Sequence, residues 1–523
     1  MNFEKTVVVW LGNRKNCGEK YLRNMNFIWD PGGEINSNFK YLGITFSTNV
    51  NDIIQLNYSS KLIEIEKLLK TWNRRFLTPY GKITVIKTLA LSKLTYLFTN
   101  IPDPCSNFLK QVNMLFFKFL WNGKPNKIKS DYICQDYDEG GIRMVNVFDY
   151  LAYIKINCFK RYLCNEDIIN LTRTMYPMMK HIVTMGSEYI LKIMNTVKNP
   201  LLHDVLKHVK NLFDKIECVS FDDVIFESLF YNKNILVANK TVFYRSWANE
   251  NVTQIYQLLT DTGEFLNFNE FITKYPNIVT NFLQYNGLVH SIKNYLRTTN
   301  IENDDDFRNN QEHEPVCWQC LRKPKYEIKT LISQRPKVEH SSIRKWNEAF
   351  SNLNWKRIFQ ICQKTTADNK IKWFQYRLIY RILPTNRFLC LRGIKNSSLC
   401  NLCQQSEETL THMFWECHFV QYFWTELMNI FIRCLPHTHH LTLCKQLILF
   451  GYKENVITDK PFDLLVLAAK YHIYQCKFSN NVPNANLFLK QFKQRYKIEK
   501  YYNDSTSKDK FEYLWKPYEL LLL

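Results

Sequence analysis

The chain has 523 residues, of which 46% are apolar and 15% aromatic, and it carries only 14 glycines; it can fill several domain cores, and its composition argues against long disorder. A net charge of +21 and an isoelectric point near 9.2 point to a polyanionic partner, nucleic acid by default. No apolar run approaches the ~18 residues that would span a bilayer. Glu4 and Lys5 interrupt any signal-peptide pattern, so the expected setting is intracellular, nucleus or cytoplasm, with no membrane partner.

The first segment reads as short strands: Thr6 to Trp10 is β-branched and aromatic, and Phe39 to Ile44 follows a Pro31-Gly32-Gly33 turn. Helical spacing begins at Tyr58 to Leu69 and returns from Lys82 to Phe98, where Ile83, Ile86, Ala90, Leu94 and Leu97 share a face and Thr78-Pro79-Tyr80-Gly81 separates the two runs. Further helices are expected at 106–121, stopped by Asn122-Gly-Lys-Pro125, and at 147–163 after a Glu139-Gly-Gly141 turn. From Lys61 to Lys129 there are 13 Lys/Arg against Glu64, Glu66 and Asp103. That local excess reads as a phosphate-binding face, although an ordinary solvated face has the same composition.

Residues 166–300 show helical periodicity of lower contrast, and 303–340 carries charge reversals with Pro315, Pro324 and Pro336, which suits a connector and a domain boundary. Ile371 to Arg392 is a helical stretch mixing aromatic and basic residues, broken or kinked by Pro384. Amphipathic helices are expected at 419–432 and 464–477, and a basic one at 487–502.

The most specific motif is Cys400-x2-Cys403-x8-His412-x4-Cys417. Four ligands at this spacing close one tetrahedral zinc and leave no position for water, which makes a structural site and not a catalytic one. On an ideal helix His412 and Cys417 would lie about 140° from a common face, so the segment between them cannot be regular helix if both bind. His418 competes as fourth ligand, with Cys417 preferred. Cys317 and Cys320 repeat the C-x2-C spacing without a nearby second pair, and read as accidental. The 16 cysteines show no disulfide framework, as expected in a reducing compartment.

Several of these stretches resemble the C-terminal portion of the polymerase polyprotein of LINE-type, non-LTR retrotransposons. Asn2 to Thr6 and Phe39 to Ile44 resemble the end of the polymerase palm. Trp72-Asn-Arg-Arg75, Thr78 to Ile83, Lys87, Phe119-Leu-Trp121, Lys127-Ile-Lys129 and Gly140-Gly141 are similar to its thumb. Trp373 to Leu391, followed by Cys400, Cys403, Glu408, His412, Phe414-Trp415 and Cys417, resembles its zinc-binding region.

The resemblance implies a mainly α fold: partial palm strands over 1–48, a helical thumb over 49–165, a helical connector over 166–345, a zinc-knuckle-containing region over 346–435 and a basic helical segment over 436–523. It implies a structural zinc and partners that are RNA and RNA/DNA duplex, with an upstream polymerase domain in the intact element. The family holds its catalytic metals on aspartates in two palm motifs that, by family order, precede Met1. Phe221-Asp222-Asp223 imitates one of them but falls after the thumb, where an acidic turn or helix cap is the plainer reading.

The chain is therefore expected to bind without being an enzyme on its own. The candidate phosphate ligands are Lys61, Lys67, Lys70, Arg74, Arg75, Lys82, Lys87 and Lys93 in the thumb-like part, and Arg377, Arg381, Arg387, Arg392 and Lys395 around the zinc, with Tyr376 or Tyr380 as stacking surfaces. A zinc-dependent interaction protein and an active polymerase using Asp222 and Asp223 are the alternatives.

Overall fold

The computed structural model describes residues 7–8, 28–29, 38–47, 50–164, 181–216, 218, 221–299, 316–333, 339–434, 443–454, 458–504 and 508–522. The fold is mainly helical, as expected, with only two-stranded pairings among the described residues. Parts of the expected palm segment lie outside the described residues. Within it, Val7–Val8 pairs in parallel with Ile28–Trp29, and Phe39–Tyr41 pairs with Ile44–Phe46 as an antiparallel hairpin.

The chain forms two compact units that interleave along the sequence. The first comprises Met1–Lys67, Leu89–Asn113 and Asn146–Arg335; the second comprises Leu68–Thr88, Met114–Val145 and Pro336–Leu523. The grouping runs across the consecutive segments expected from the sequence, because residues 49–165 contribute to both.

In the first unit the hairpin turns through Leu42 and Gly43, both at positive φ, the arrangement that matches strand twist in a two-residue turn. Asn57 on the Val50–Asn73 helix holds the returning strand by accepting from Thr45 N and donating to its carbonyl. Tyr58 packs between Phe98 and Phe108 and donates to Pro102 O. Lys155 is fully buried, its amine 2.7 Å from Ile101 O and 3.4 Å from Asp103. A separate aromatic core centres on Trp247, Phe271 and Tyr285. Phe221 and Asp223 belong to the five-residue helix Phe221–Ile225, whose Phe221 joins that core.

The second unit is built around the Lys460–Ser479 helix, buried on nearly every side. That explains its weak amphipathic contrast. Helices Ser341–Ala349, Trp355–Thr365, Asn369–Ile379 and Ala485–Asp504 belong to the same unit. The turn expected at Gly140-Gly141 has a clear steric reason. A side chain at Gly140, at φ +87°, would overlap Tyr380 and Phe359, and one at Gly141 would overlap the Gln135 carbonyl. The Tyr380 hydroxyl closes this approach by donating to Gly140 O at 2.6 Å. Among the described residues no helix is long and apolar enough to cross a membrane.

Candidate metal centre and basic surfaces

The knuckle begins where Leu399 and Glu407 bridge antiparallel. Cys400 N donates to Ser406 O at 2.9 Å and Gln404 N to Cys400 O at 3.0 Å, with Gln404 at positive φ. This tight turn brings Cys400 and Cys403 to one side. Thr409 then caps the return, its hydroxyl accepting from His412 N at 3.0 Å.

From His412 to Glu416 the backbone is a π-helix, and Cys417 N donates to His412 O, five residues back, at 3.1 Å. This wider turn solves the geometric difficulty posed by an ideal helix, because five residues now complete one hydrogen-bonded loop and both ligands face the same point. Cys417 itself is extended, at φ −65° and ψ 127°. Its carbonyl accepts the first bonds of the His418–Cys434 helix, from Val420 N and Gln421 N. Its sulfur thus sits at a helix N-terminus, which favours a thiolate.

One ligand atom from each of Cys400, Cys403, His412 and Cys417 lies within 4.8 Å of all the others. Cys403 Sγ approaches His412 Nε2 to 3.4 Å. A tetrahedral zinc with Zn–S near 2.3 Å and Zn–N near 2.0–2.1 Å needs ligand separations of roughly 3.4–3.8 Å, so the set fits zinc with small adjustment. Cys400, His412 and Cys417 are buried and Cys403 half-buried. A hydrogen bond from Cys400 to Cys417 raises the Cys400 thiol, with burial adding to it. The same bond holds the Cys417 thiol below its ordinary range against the opposing effect of burial, helped by the Phe419 and Val420 amides. His418 is exposed and lies against Phe419, and it is not among the clustered ligand atoms.

The knuckle is fastened to the rest of the unit by a network of polar groups, in which Lys477, Asn386 and Asn401 had no role assigned from the sequence. Glu408 is buried and forms an ion pair with Lys477 on the Lys460–Ser479 helix, while also accepting from Asn386 N at 2.8 Å. Lys477 donates in addition to Pro384 O at 2.6 Å. Asn386 bonds Leu399 O and Asn401 Oδ1, and Lys395 reaches both Asn386 and Asn401. Glu408 could be found in the motif, but Lys477, 69 residues away, has no local signal.

The basic residues divide by environment. Lys61 and Lys93 share Glu64 in the first unit, at 2.7 and 3.2 Å. Lys67, Lys70, Arg74, Arg75 and Lys87 are exposed. Lys82 is buried instead: it donates to Asn73, Asn122 and Phe119 O, and is not available to a phosphate. Its place one turn before Ile86 on the apolar face was the available signal. Arg377 lies over Tyr474 and Arg381 over Trp346, both partly covered. Arg387 pairs with Glu407, and Arg392 lies exposed over Phe388. Tyr376 and Tyr380 are buried among aromatic neighbours, so neither presents a stacking surface.

Cys317 and Cys320 sit on the helix Val316–Arg322, where burial raises both thiols, Cys320 to about 11. Among the described residues the metal-holding set is the Cys400–Cys417 cluster.

The geometry defines a closed Cys3His centre of the structural zinc kind. Residues 340–424, which contain all four ligands, match the family of zinc-binding regions in reverse transcriptase. This region of the chain is therefore zinc-binding and related to reverse transcriptases.

Proposed function

We propose that the chain is the C-terminal part of a LINE-type reverse transcriptase and that its work is to bind RNA and RNA/DNA template-primer, not to polymerise. The observation that carries this reading is the match of residues 340–424 to the reverse-transcriptase zinc-binding family, centred on the closed Cys3His set. The excess of 21 positive charges supports a polyanionic partner. The thumb resemblance adds helices carrying Lys67, Lys70 and Lys87 at the surface, with Arg74 and Arg75 exposed in the loop that follows the first of them.

Zinc, held by Cys400, Cys403, His412 and Cys417, would supply folding free energy and not chemistry, because four protein ligands leave no open position. Around it, the network of Glu408, Lys477, Asn386 and Asn401 fixes the knuckle, which carries Arg387, Arg392 and Lys395 at its surface. On this reading the palm aspartates and the polymerisation step belong to a separate segment of the intact element.

The test is binding of the purified full chain to RNA and to an RNA/DNA hybrid over roughly 50–200 mM salt. Affinity is expected to fall steeply as salt rises, since each phosphate neutralised adds about 0.7–0.9 to the logarithmic slope. Salt-insensitive association, or none, would favour a zinc-dependent protein-interaction module instead. Primer extension that is lost in Asp222→Ala would contradict the non-catalytic reading.

A further inference from the structure

The second unit carries a feature that the zinc centre and the general basic charge leave unexplained. The Val50–Asn73 helix ends in a short loop, Arg74-Arg75-Phe76-Leu77, in which Leu77 N donates to Arg75 O at 2.8 Å. That bond spans two residues and makes Phe76 the apex of a γ-type turn. The loop is anchored on its far side by Thr78, whose hydroxyl caps the Pro79–Val85 helix. Phe76 at the apex is completely exposed, at 107% relative accessibility. Arg74 and Arg75 beside it are exposed as well.

A second loop is fastened by the buried Lys82 to the helix end that precedes the first. The Lys82 ammonium donates to Asn73 Oδ1 at 3.2 Å, to Phe119 O at 2.6 Å and to Asn122 Oδ1. The Asn122-Gly123 turn, with both residues at positive φ, opens an exposed segment containing Lys124 and Lys127. The bare Phe76 ring thus has Arg74 and Arg75 beside it, on a loop whose preceding helix end is tied through Lys82 to the Asn122-Gly123 turn.

We infer that Phe76, with Arg74 and Arg75 beside it on the loop, forms a binding site for single-stranded nucleic acid, with Phe76 stacking on a base and the two guanidinium groups neutralising neighbouring phosphates. The chemistry favours this ligand over an apolar protein face because a single ring beside two cations suits a base between phosphates. It favours a single strand over a duplex because base faces within a duplex are already covered by their neighbours. This site deepens the proposed nucleic-acid binding and rests on it.

The test uses the full zinc-loaded chain with a labelled oligouridylate strand and a blunt RNA duplex of equal length. Phe76→Ala is expected to weaken single-strand binding by about tenfold with an unchanged salt slope, and to leave duplex binding within about twofold. Phe76→Tyr keeps the ring and is expected to bind as the parent does. The Arg74→Gln, Arg75→Gln pair is expected to flatten the single-strand salt slope by about 0.7 for each phosphate no longer neutralised. Because Phe76 is uncovered, its replacement leaves folding intact. If the parent binds RNA with a steep salt dependence but Phe76→Ala has no effect, or weakens both ligands equally, this site is wrong while the proposed function stands. A parent that binds neither ligand overturns both.

Discussion

Glu408 and Lys477 show how a residue can be indispensable to a metal knuckle without touching the metal. Burial lowers the Lys477 amine and Glu408 acts to restore it, so each charge is tolerable only in the presence of the other. Glu408→Ala is expected to cost about 3–5 kcal/mol, since it strands a buried ammonium. Urea unfolding measures this directly, and a loss under about 1 kcal/mol would show that the pair is solvated. The four zinc ligands were legible because thiolate and imidazole chemistry demands a fixed local spacing. Lys82 was misleading for the converse reason: within a run of basic residues, a lysine bound to three internal acceptors has the same letter as one facing solvent, and only its register with Ile86 betrays it.

Elements were legible where one face is apolar and less so where burial is all-round or the backbone departs from α geometry. The expected helix break at Pro384 lies between the helices Asn369–Ile379 and Asn386–Leu391, and the run from Lys82 to Phe98 is helical but passes through a π turn at Ile86–Ala90. The π turn at His412–Glu416 was required by the ligand geometry without being nameable from periodicity. The Lys460–Ser479 helix extends beyond its expected 464–477 span and encloses Lys470, which donates to Gln375 and Leu449 O. Burial brings the Lys470 amine down to about 7, against smaller opposing effects of Cys362 and Asp463. Because the folded value lies below the unfolded one, the unfolded chain holds the extra proton between about 7 and about 10.4, and this group makes stability rise with pH there. Between about pH 7.5 and pH 9, the parent is expected to gain about 1–2 kcal/mol more than Lys470→Met by denaturant unfolding. Equal slopes would mean that Lys470 stays charged in the folded helix.

At the scale of the whole molecule, periodicity foretold helices and composition a strongly basic protein, and the resemblance foretold a zinc-binding region where residues 340–424 match that family. The interleaving of the two units was not legible, because which distant segments share a core depends on tertiary packing that no local pattern encodes. Residues 68–88 and 114–145 fold with the zinc-containing unit despite lying far from it in sequence. The zinc centre therefore contributes to a unit assembled from three stretches of chain, so metal loss should be felt beyond the knuckle. The most direct test is zinc content by elemental analysis of the purified full chain beside Cys400→Ser, read together with thermal unfolding. One zinc per parent chain, lost in the variant along with stability, is the predicted result. Parent protein without zinc, or a variant that retains it undiminished, would contradict the assignment of Cys400, Cys403, His412 and Cys417 as the structural metal centre.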